Sequence, residues 1–142
     1  MNKILFYLSA RLFGEACLEL YIYRITPEGK EQVYLIPRSK NDPFYPSMMH
    51  MPGVRKLPTE TNEQHFQRLF KELNFPVDID TDIYYAASVT VKAKRGTEFA
   101  DIRKMEVPYD EKQAGFYDVD NLPKNIIDHH KLFIAMVRKY AV

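Results

Sequence analysis

One face of a helix predicted from the sequence carries side chains that could do chemistry. Its apolar stripe repeats at i, i+3, i+4 and i+7, through Phe66, Leu69, Phe70 and Leu73. At about 100° per residue, Arg68, Lys71 and Glu72 point away from that stripe. Two cations facing a cleft can bind a diphosphate through charge-assisted hydrogen bonds, and Arg adds bidentate geometry. A solvated helix face, with Arg68 and Glu72 as an i, i+4 ion pair, explains the same residues.

Local signals mark both ends of this helix. Thr61 and Gln64 have the spacing of a capping box, in which each side chain accepts the backbone N–H of the other residue. Asn74 tolerates the left-handed conformation that often ends a helix, and Pro76 prevents its continuation. The sequence therefore predicts a helix from about Thr61 to about Asn74 that packs its apolar stripe against the core.

The elements around this helix follow from hydrophobic periodicity and turn residues. Alternation of Leu or Ile with polar residues predicts that Ala16–Ile25 is a half-buried strand. A final helix is predicted from Leu122-Pro123 to about Tyr140. Further strands are predicted at Ile4–Leu12, Gln32–Pro37, Ile83–Ala93, Glu98–Val107 and Gly115–Val119. Strands, a helix, more strands and a last helix together predict an α+β sandwich.

Length, charge and cysteine content limit the class of protein. The 142 residues suffice for one domain with its own core, predicted to span residues 1–142. A net charge of +1 gives no electrostatic indication of nucleic-acid or membrane binding. We interpret the basic run Lys92–Arg95 as the solvated end of a hairpin. Cys17 is the single cysteine, which excludes an intrachain disulfide and predicts a reducing, cytoplasmic compartment.

The stretch Pro52–Phe75 resembles the Nudix box, a loop–helix–loop that holds catalytic magnesium in hydrolases of nucleoside diphosphates linked to another group. The family pattern is Gly, five residues, Glu, seven residues, Arg-Glu, an aliphatic residue, any residue, Glu-Glu, any residue, Gly and an aliphatic residue. Other parts of the family are similar to Val33–Ser39, Pro43–Gly53 and Ala114–Pro123. The resemblance implies a Nudix-type α/β/α sandwich with a mixed, largely antiparallel sheet.

Two alignments with the box compete. In the first register, Leu73-Asn74-Phe75 matches the closing residues of the family pattern. Thr59 and Gln67 then replace the Glu and Arg that brace the loop against the helix in the family. Cations replace two of the three acids at the metal-ligand positions, which become Arg68, Lys71 and Glu72.

In the second register, the Pro-Gly before the helix matches the family's Pro-Gly-Gly, and every position moves by one residue. Glu60, Arg68 and Glu72 then match the family pattern. Two metal-ligand positions, however, become Leu69 and Leu73. Because metal ligands must face the cleft and the apolar stripe must face the core, helix geometry favours the first register.

Both registers leave a degenerate metal site. Magnesium prefers carboxylate oxygens, and Arg or Lys at a ligand position would repel it. Glu72 is retained in both registers, and Glu111 lies in a loop where many family members carry a glutamate that binds metal or acts as a base. With Glu60, these residues could hold one weakly bound Mg²⁺ or Mn²⁺ that activates water. The resemblance therefore implies hydrolysis that is lost or weak, with a metal needed only if the protein is active.

The leading functional hypothesis is ligand or partner binding in a cleft that suits a nucleotide diphosphate. Gly53, Arg68 and Lys71 are the expected binding residues beside the helix. Phe44 and Tyr45 could stack on a base, although ordinary packing is the favoured explanation for both.

Two other functions stay open at this point. The first is an active pyrophosphohydrolase that uses the reduced metal site, and the second is a protein-interaction module with a vestigial cleft. The expected partner is a nucleotide-like small molecule, with no membrane segment and no clear nucleic-acid signature. The sequence does not decide whether the protein is a monomer or a homodimer.

Overall fold

The computed structural model describes residues 2–5, 8, 14–73 and 82–140 of the chain. Two helices lie completely within these ranges, α1 (Asn62–Leu73) and α2 (Asp128–Lys139). Residues 3–5 and 8 are also helical. The strands are β1 (Glu15–Ile25), β2 (Glu31–Tyr34), β3 (Ile36–Pro37), β4 (Met49–His50), β5 (Gly53–Arg55), β6 (Tyr84–Ala93), β7 (Gly96–Glu106) and β8 (Phe116–Asp118). None of the helices in the described ranges is long and apolar enough to cross a bilayer.

A six-stranded sheet organises the fold in the order β6-β7-β1-β2-β8, and β5 also pairs with β1. β1 and β7 run parallel, from the pair Glu15 and Glu98 to the pair Tyr23 and Glu106. The other strand pairs are antiparallel, and β3 and β4 form a separate two-stranded sheet. This arrangement confirms the predicted α+β sandwich with a mixed, largely antiparallel sheet.

Both faces of β1 are buried. One face carries the apolar residues of the alternating pattern and lies in the same hydrophobic cluster as Leu69 of α1. The other face carries Glu19 and Tyr21, which are only 5% and 1% exposed, and Tyr21 lies in a cluster with Phe133 of α2. The prediction of a half-buried strand was therefore wrong. The alternating pattern distinguishes two buried environments. α1 covers the apolar side of the strand, whereas α2 and the polar cavity cover the other side.

α1 confirms the prediction from local signals. The Thr61 N–H donates to Gln64 Oε1 over 2.8 Å, and the Gln64 N–H donates to Thr61 Oγ1 over 3.2 Å, which completes the capping box. Leu69 is 2% exposed, and the other residues of the apolar stripe are partly buried against the same core. The predicted helix end at Asn74 lies outside the described residues.

Several other boundaries differ from the prediction. The predicted strand Ile4–Leu12 is helical at residues 4, 5 and 8, and its remaining residues lie outside the described ranges. Gln32–Pro37 divides between β2 and β3, because residues 36 and 37 pair with β4 instead of continuing the β2 ladder. β4 and β5 were missed because two or three residues are too short to show an alternating pattern. The final helix begins only at Asp128, since Ile126 forms a β-bridge with Met49.

Candidate functional site

An open cavity of about 360 Å³ lies where β5 pairs with the first half of β1. Alternate positions of β1 contribute three lining residues, Glu15, Cys17 and Glu19. Cations contribute five more, which are Lys3, Arg38, Arg55, Arg68 and Arg95. The cavity thus combines buried acids with a group of basic side chains, and its chemistry is that of a site for a charged polar molecule.

Four buried side chains at this cavity, Glu15, Cys17, Glu19 and Glu98, form what we call the acidic cluster. Strand periodicity places the first three on one face of β1. The parallel register sets Glu98 of β7 beside Glu15. All four residues are between 1% and 7% exposed. Carboxyl groups in such surroundings need compensating partners, because burial without a partner is costly.

Arg95 supplies part of that compensation. Its Nη2 lies 3.0 Å from Glu15 Oε1 and 2.9 Å from Glu98 Oε1. His129 Nε2 lies 3.3 Å from the other oxygen of Glu98. Burial acts to raise the pKa of Glu98, but the contacts with His129 and Arg95 outweigh it and lower that pKa. The prediction that Lys92–Arg95 is a solvated hairpin end was wrong at Arg95, whose side chain is 16% exposed.

Among the described residues, Glu19 has no comparable partner. Its Oε2 is buried and makes no hydrogen bond within the part of the chain that the structure describes. Burial, followed by repulsion from Glu98, raises the pKa of Glu19 well above its ordinary value. Gly53 pairs with Glu19 across the strands, and a Cβ at Gly53 would clash with the Glu19 carboxyl group. A glycine at this position is therefore what leaves room for that carboxyl group.

Burial keeps the two histidines that line the cavity neutral, and both rings hydrogen-bond to the backbone of Met51. The Met51 N–H donates to His130 Nδ1 over 3.1 Å, and His50 Nδ1 donates to the Met51 carbonyl over 2.7 Å. Burial lowers the pKa of His50 to about 4 and also lowers the pKa of His130. Both rings therefore act as structural hydrogen-bonding groups near neutral pH, and neither adds a cation to the site.

Arg68 reaches the cavity from α1, but its guanidinium also braces the loop before the helix. Its Nε lies 3.2 Å from the Glu60 carboxylate, and its Nη2 donates to the Arg55 carbonyl over 2.8 Å. This contact between loop and helix is what the second register expects of its Glu–Arg pair. The apolar stripe still faces the core, so that Leu69, a metal-ligand position in the second register, is buried among apolar side chains.

The other residues predicted for the site are not brought together. Lys71 and Glu72 are exposed on α1 and do not line the cavity. Glu111 is exposed in the loop between β7 and β8. Tyr45 is 6% exposed, lines a different cavity with His129, and accepts the backbone N–H of Lys94 through its hydroxyl group.

Phe44, the second predicted stacking residue, also stays away from the charged cavity. It is half-buried, and its backbone N–H donates to Asp42 Oδ1 over 3.0 Å. Of the eight residues predicted for catalysis, metal binding or ligand binding, the cavity includes Gly53 and Arg68 in its lining.

The residues expected to hold magnesium do not form a set that fits the ion. Glu60 is bound to Arg68, and Glu72 is exposed next to Lys71 and belongs to no converging group of three ligands among the described residues. Among the described His, Cys, Asp and Glu residues, three side chains converge to within 4.8 Å, and these are Cys17, Glu19 and Glu98. Because magnesium prefers several oxygen ligands, no magnesium-dependent step follows from the residues of α1.

Sequence reasoning missed most of the cavity. Arg38 was noted only as part of a family-like strand, Glu19 was assigned to the polar side of a half-buried strand, and Glu15 was not assigned to a strand. A local signal was present, since Glu15, Cys17 and Glu19 recur at every second position of one strand. Their meeting with Arg95 and Glu98 depends on the pairing of β1 with β7, which the sequence pattern does not contain.

Comparison with known proteins establishes the fold. No protein-family model matches the sequence, and no curated protein matches it at a significant level. A mutT/nudix family protein from Listeria innocua has a similar structure, with a TM-score of 0.72 and 13% identity over 88% of this chain and 92% of that one. The NUDIX domain of Shewanella oneidensis NrtR, solved with ADP ribose, has a TM-score of 0.66 and 17% identity over 100% of both chains.

C. elegans Ap4A hydrolase is similar as well, with a TM-score of 0.64 and 16% identity over 89% of this chain and 96% of that one. Identities this low show a shared fold and leave the activity open. The chain has the Nudix fold.

Proposed function

We propose that this Nudix-fold chain binds a nucleotide-like diphosphate in the 360 Å³ cavity without magnesium. In this proposal its magnesium-dependent pyrophosphohydrolase activity is weak or lost. The observation that carries the proposal is the convergence of Arg38, Arg55 and Arg68 on a cavity beside which α1 presents no set of metal-binding acids. We call these three residues the arginine group.

The arginine group has the chemistry of a phosphate site. A guanidinium offers five N–H donors in a fixed planar arrangement that matches phosphate oxygens. Arg38 uses its Nε for Asp42 at 2.9 Å, and this contact orients the guanidinium while using one of its donors. The Arg38 side chain is 24% exposed, and that of Arg68 is 32% exposed, so solvent and ligands can reach both. Positive charge that is fixed in the protein then replaces the charge that magnesium supplies in other phosphate sites.

Two structural relatives support a ligand of this class. The NrtR NUDIX domain was solved with ADP ribose, and the C. elegans relative is an Ap4A hydrolase. Both compounds contain phosphates joined in a chain between larger groups. A diphosphate ester is therefore the first ligand class to test on this chain.

Calorimetric titration of ADP-ribose with a chelator present tests the proposal. We expect measurable binding that weakens as salt rises, because exposed charges are screened over about 10 Å at 0.1 M ionic strength. Arg38→Ala should weaken binding about 10- to 150-fold, the equivalent of about 1.5–3 kcal/mol for a hydrogen bond to a charged group. Arg138→Ala is the matched control, because Arg138 pairs with the exposed Asp120 and does not line the cavity.

The outcomes separate the three functional hypotheses. Binding that is unaffected by Arg38→Ala would place the ligand elsewhere, and no binding across a panel of nucleotides would favour an interaction module. Turnover of a nucleoside diphosphate derivative with Mg²⁺ or Mn²⁺ would contradict weak or lost hydrolysis. If Glu72→Gln and Glu111→Gln then abolished that turnover, the reduced metal site would be established.

A further inference from the structure

The acidic cluster contains more buried acid than the protein compensates. Arg95 contacts Glu15 and Glu98 through one oxygen of each carboxyl group. The remaining oxygen of Glu15 and the Oε2 of Glu19 are buried and have no hydrogen-bond partner within the described residues. Glu19 is 5% exposed and lines the cavity, so its unsatisfied carboxyl group faces a space that a ligand can enter. A buried polar atom without a partner points to an ion or ligand that supplies one.

The donor atoms of the cluster converge. The Cys17 sulfur and one carboxylate oxygen each from Glu19 and Glu98 all lie within 4.8 Å of one another. Tetrahedral zinc has bonds of about 2.3 Å to sulfur and about 2.0–2.2 Å to carboxylate oxygen. Such bonds place the ligand atoms about 3.3–3.7 Å apart. Small rotations about side-chain bonds are therefore enough to bring the three donors onto one ion.

We infer that Cys17, Glu19 and Glu98 bind a zinc ion at the inner end of the cavity. One sulfur donor among carboxylates selects zinc over magnesium, because magnesium takes only oxygen ligands with near-octahedral geometry. Glu15, which lines the cavity, or a water molecule would complete the tetrahedron. The three ligands belong to β1 and β7, and none of them is a metal-ligand position of the Nudix box, although Arg68 of α1 lines the same cavity.

Neighbouring residues support this site from outside. Arg95 holds Glu98 by Oε1, so the ion would bind Oε2, which lies 3.3 Å from His129 Nε2, and the same guanidinium holds Glu15. Gly53 leaves the space in which the Glu19 carboxyl group lies. Both contacts fix the ligands before the ion binds, which is the part that outer residues play in metal sites. The inference does not depend on diphosphate binding, since that proposal concerns the arginine group and is tested with a chelator present.

Titration of the chelator-treated full chain with zinc and cobalt, with no nucleotide present, tests the inference. We expect one ion per chain and, for cobalt, a near-ultraviolet charge-transfer band from a thiolate ligand. Cys17→Ser should remove that band, and Glu19→Gln should weaken zinc binding at least tenfold. Glu28→Gln, a change in an exposed turn, is the matched control and should leave the affinity unchanged.

X-ray absorption of the zinc-loaded wild type keeps the test independent of whether the variants fold. We expect one sulfur at about 2.3 Å and nitrogen or oxygen at about 2.0–2.2 Å, and Cys17 is the single cysteine in the chain. An absorption spectrum without sulfur, a zinc affinity that depends on Glu72 and not on Glu19, or no zinc binding at all would overturn the inference.

Discussion

Arginine and glutamate occur together in two regions of this molecule, the outer side of α1 and the acidic cluster beside β1. At α1, Arg68 of the helix and Glu60 of the preceding loop form an ion pair whose side chains are 32% and 18% exposed. In the cluster, Arg95 and Glu98 form a pair whose side chains are 16% and 1% exposed. The residue types are the same, but water solvates the first pair and is largely excluded from the second. The degree of burial therefore decides how much stability is lost when one partner of a charged pair is removed.

Removing Arg95 should produce the largest difference between the two regions. Arg95→Ala leaves Glu15 and Glu98 buried without their cation, and breaking a buried pair in this way costs about 3–5 kcal/mol. Urea unfolding of wild type and variant measures the change in the free energy of unfolding. Arg138→Ala is the control and should stay within about 0.5 kcal/mol, since its partner is exposed. Equal losses in the two variants would mean that Arg95 does not compensate the cluster.

Lowering the pH should reduce the free energy of unfolding, because His50 is buried in its neutral form. Burial lowers its pKa from 6.5 in the unfolded chain to about 4 in the folded protein. Between those pH values the unfolded chain binds a proton that the folded protein does not bind. Burial of neutral His50 therefore costs no stability above about pH 6.5. Below that pH the free energy of unfolding falls, until the pH reaches about 4. At about 1.4 kcal/mol per pKa unit, the loss approaches about 3 kcal/mol.

Urea unfolding at a series of pH values from 7 to 4 measures this dependence. His50→Gln should make the fall in stability shallower. Part of the slope should remain, because burial also lowers the pKa of His130. A variant with the same slope as the wild type would show that His50 does not titrate in this range.

Removing the contacts of Arg68 with the loop before α1 should cost less stability than either change above. Arg68→Ala removes the contacts with Glu60 and with the Arg55 carbonyl, and should lower stability by about 1 kcal/mol because both groups are partly exposed. A double-mutant cycle with Glu60→Gln measures the coupling. If the two changes act independently, with additive losses, the proposed brace between loop and helix is absent.

Glu72 should show the smallest effect. Because this residue is exposed, Glu72→Gln should change the free energy of unfolding by less than about 0.5 kcal/mol. It should also leave the zinc affinity of the chain unchanged. A clear loss of zinc binding would mean that the metal binds at α1 and not at the acidic cluster.

The sequence by itself determined α1 and the class of the fold. The capping box of Thr61 and Gln64 and the apolar stripe around Leu69 depend on residues three or four positions apart, and neighbours on a helix meet whatever the rest of the chain does. The strand periods likewise predicted the main strands of the sheet, because alternation is a local property of extended chain. Gly53 shortly precedes α1 and Arg68 lies within it, so the sequence also predicted that both residues lie beside one cleft.

Only the tertiary structure decided where the buried charges meet. Glu15 and Glu98 are neighbours because β1 and β7 pair in parallel, and neither strand's pattern states its partner or its register. The same pairing draws Arg95 out of solvent, against the expectation from a short basic run. The pKa of Glu19 follows in turn from desolvation, which depends on every element that covers the strand. The sequence shows where the acidic residues occur in the chain, whereas the complete fold determines which of them are buried.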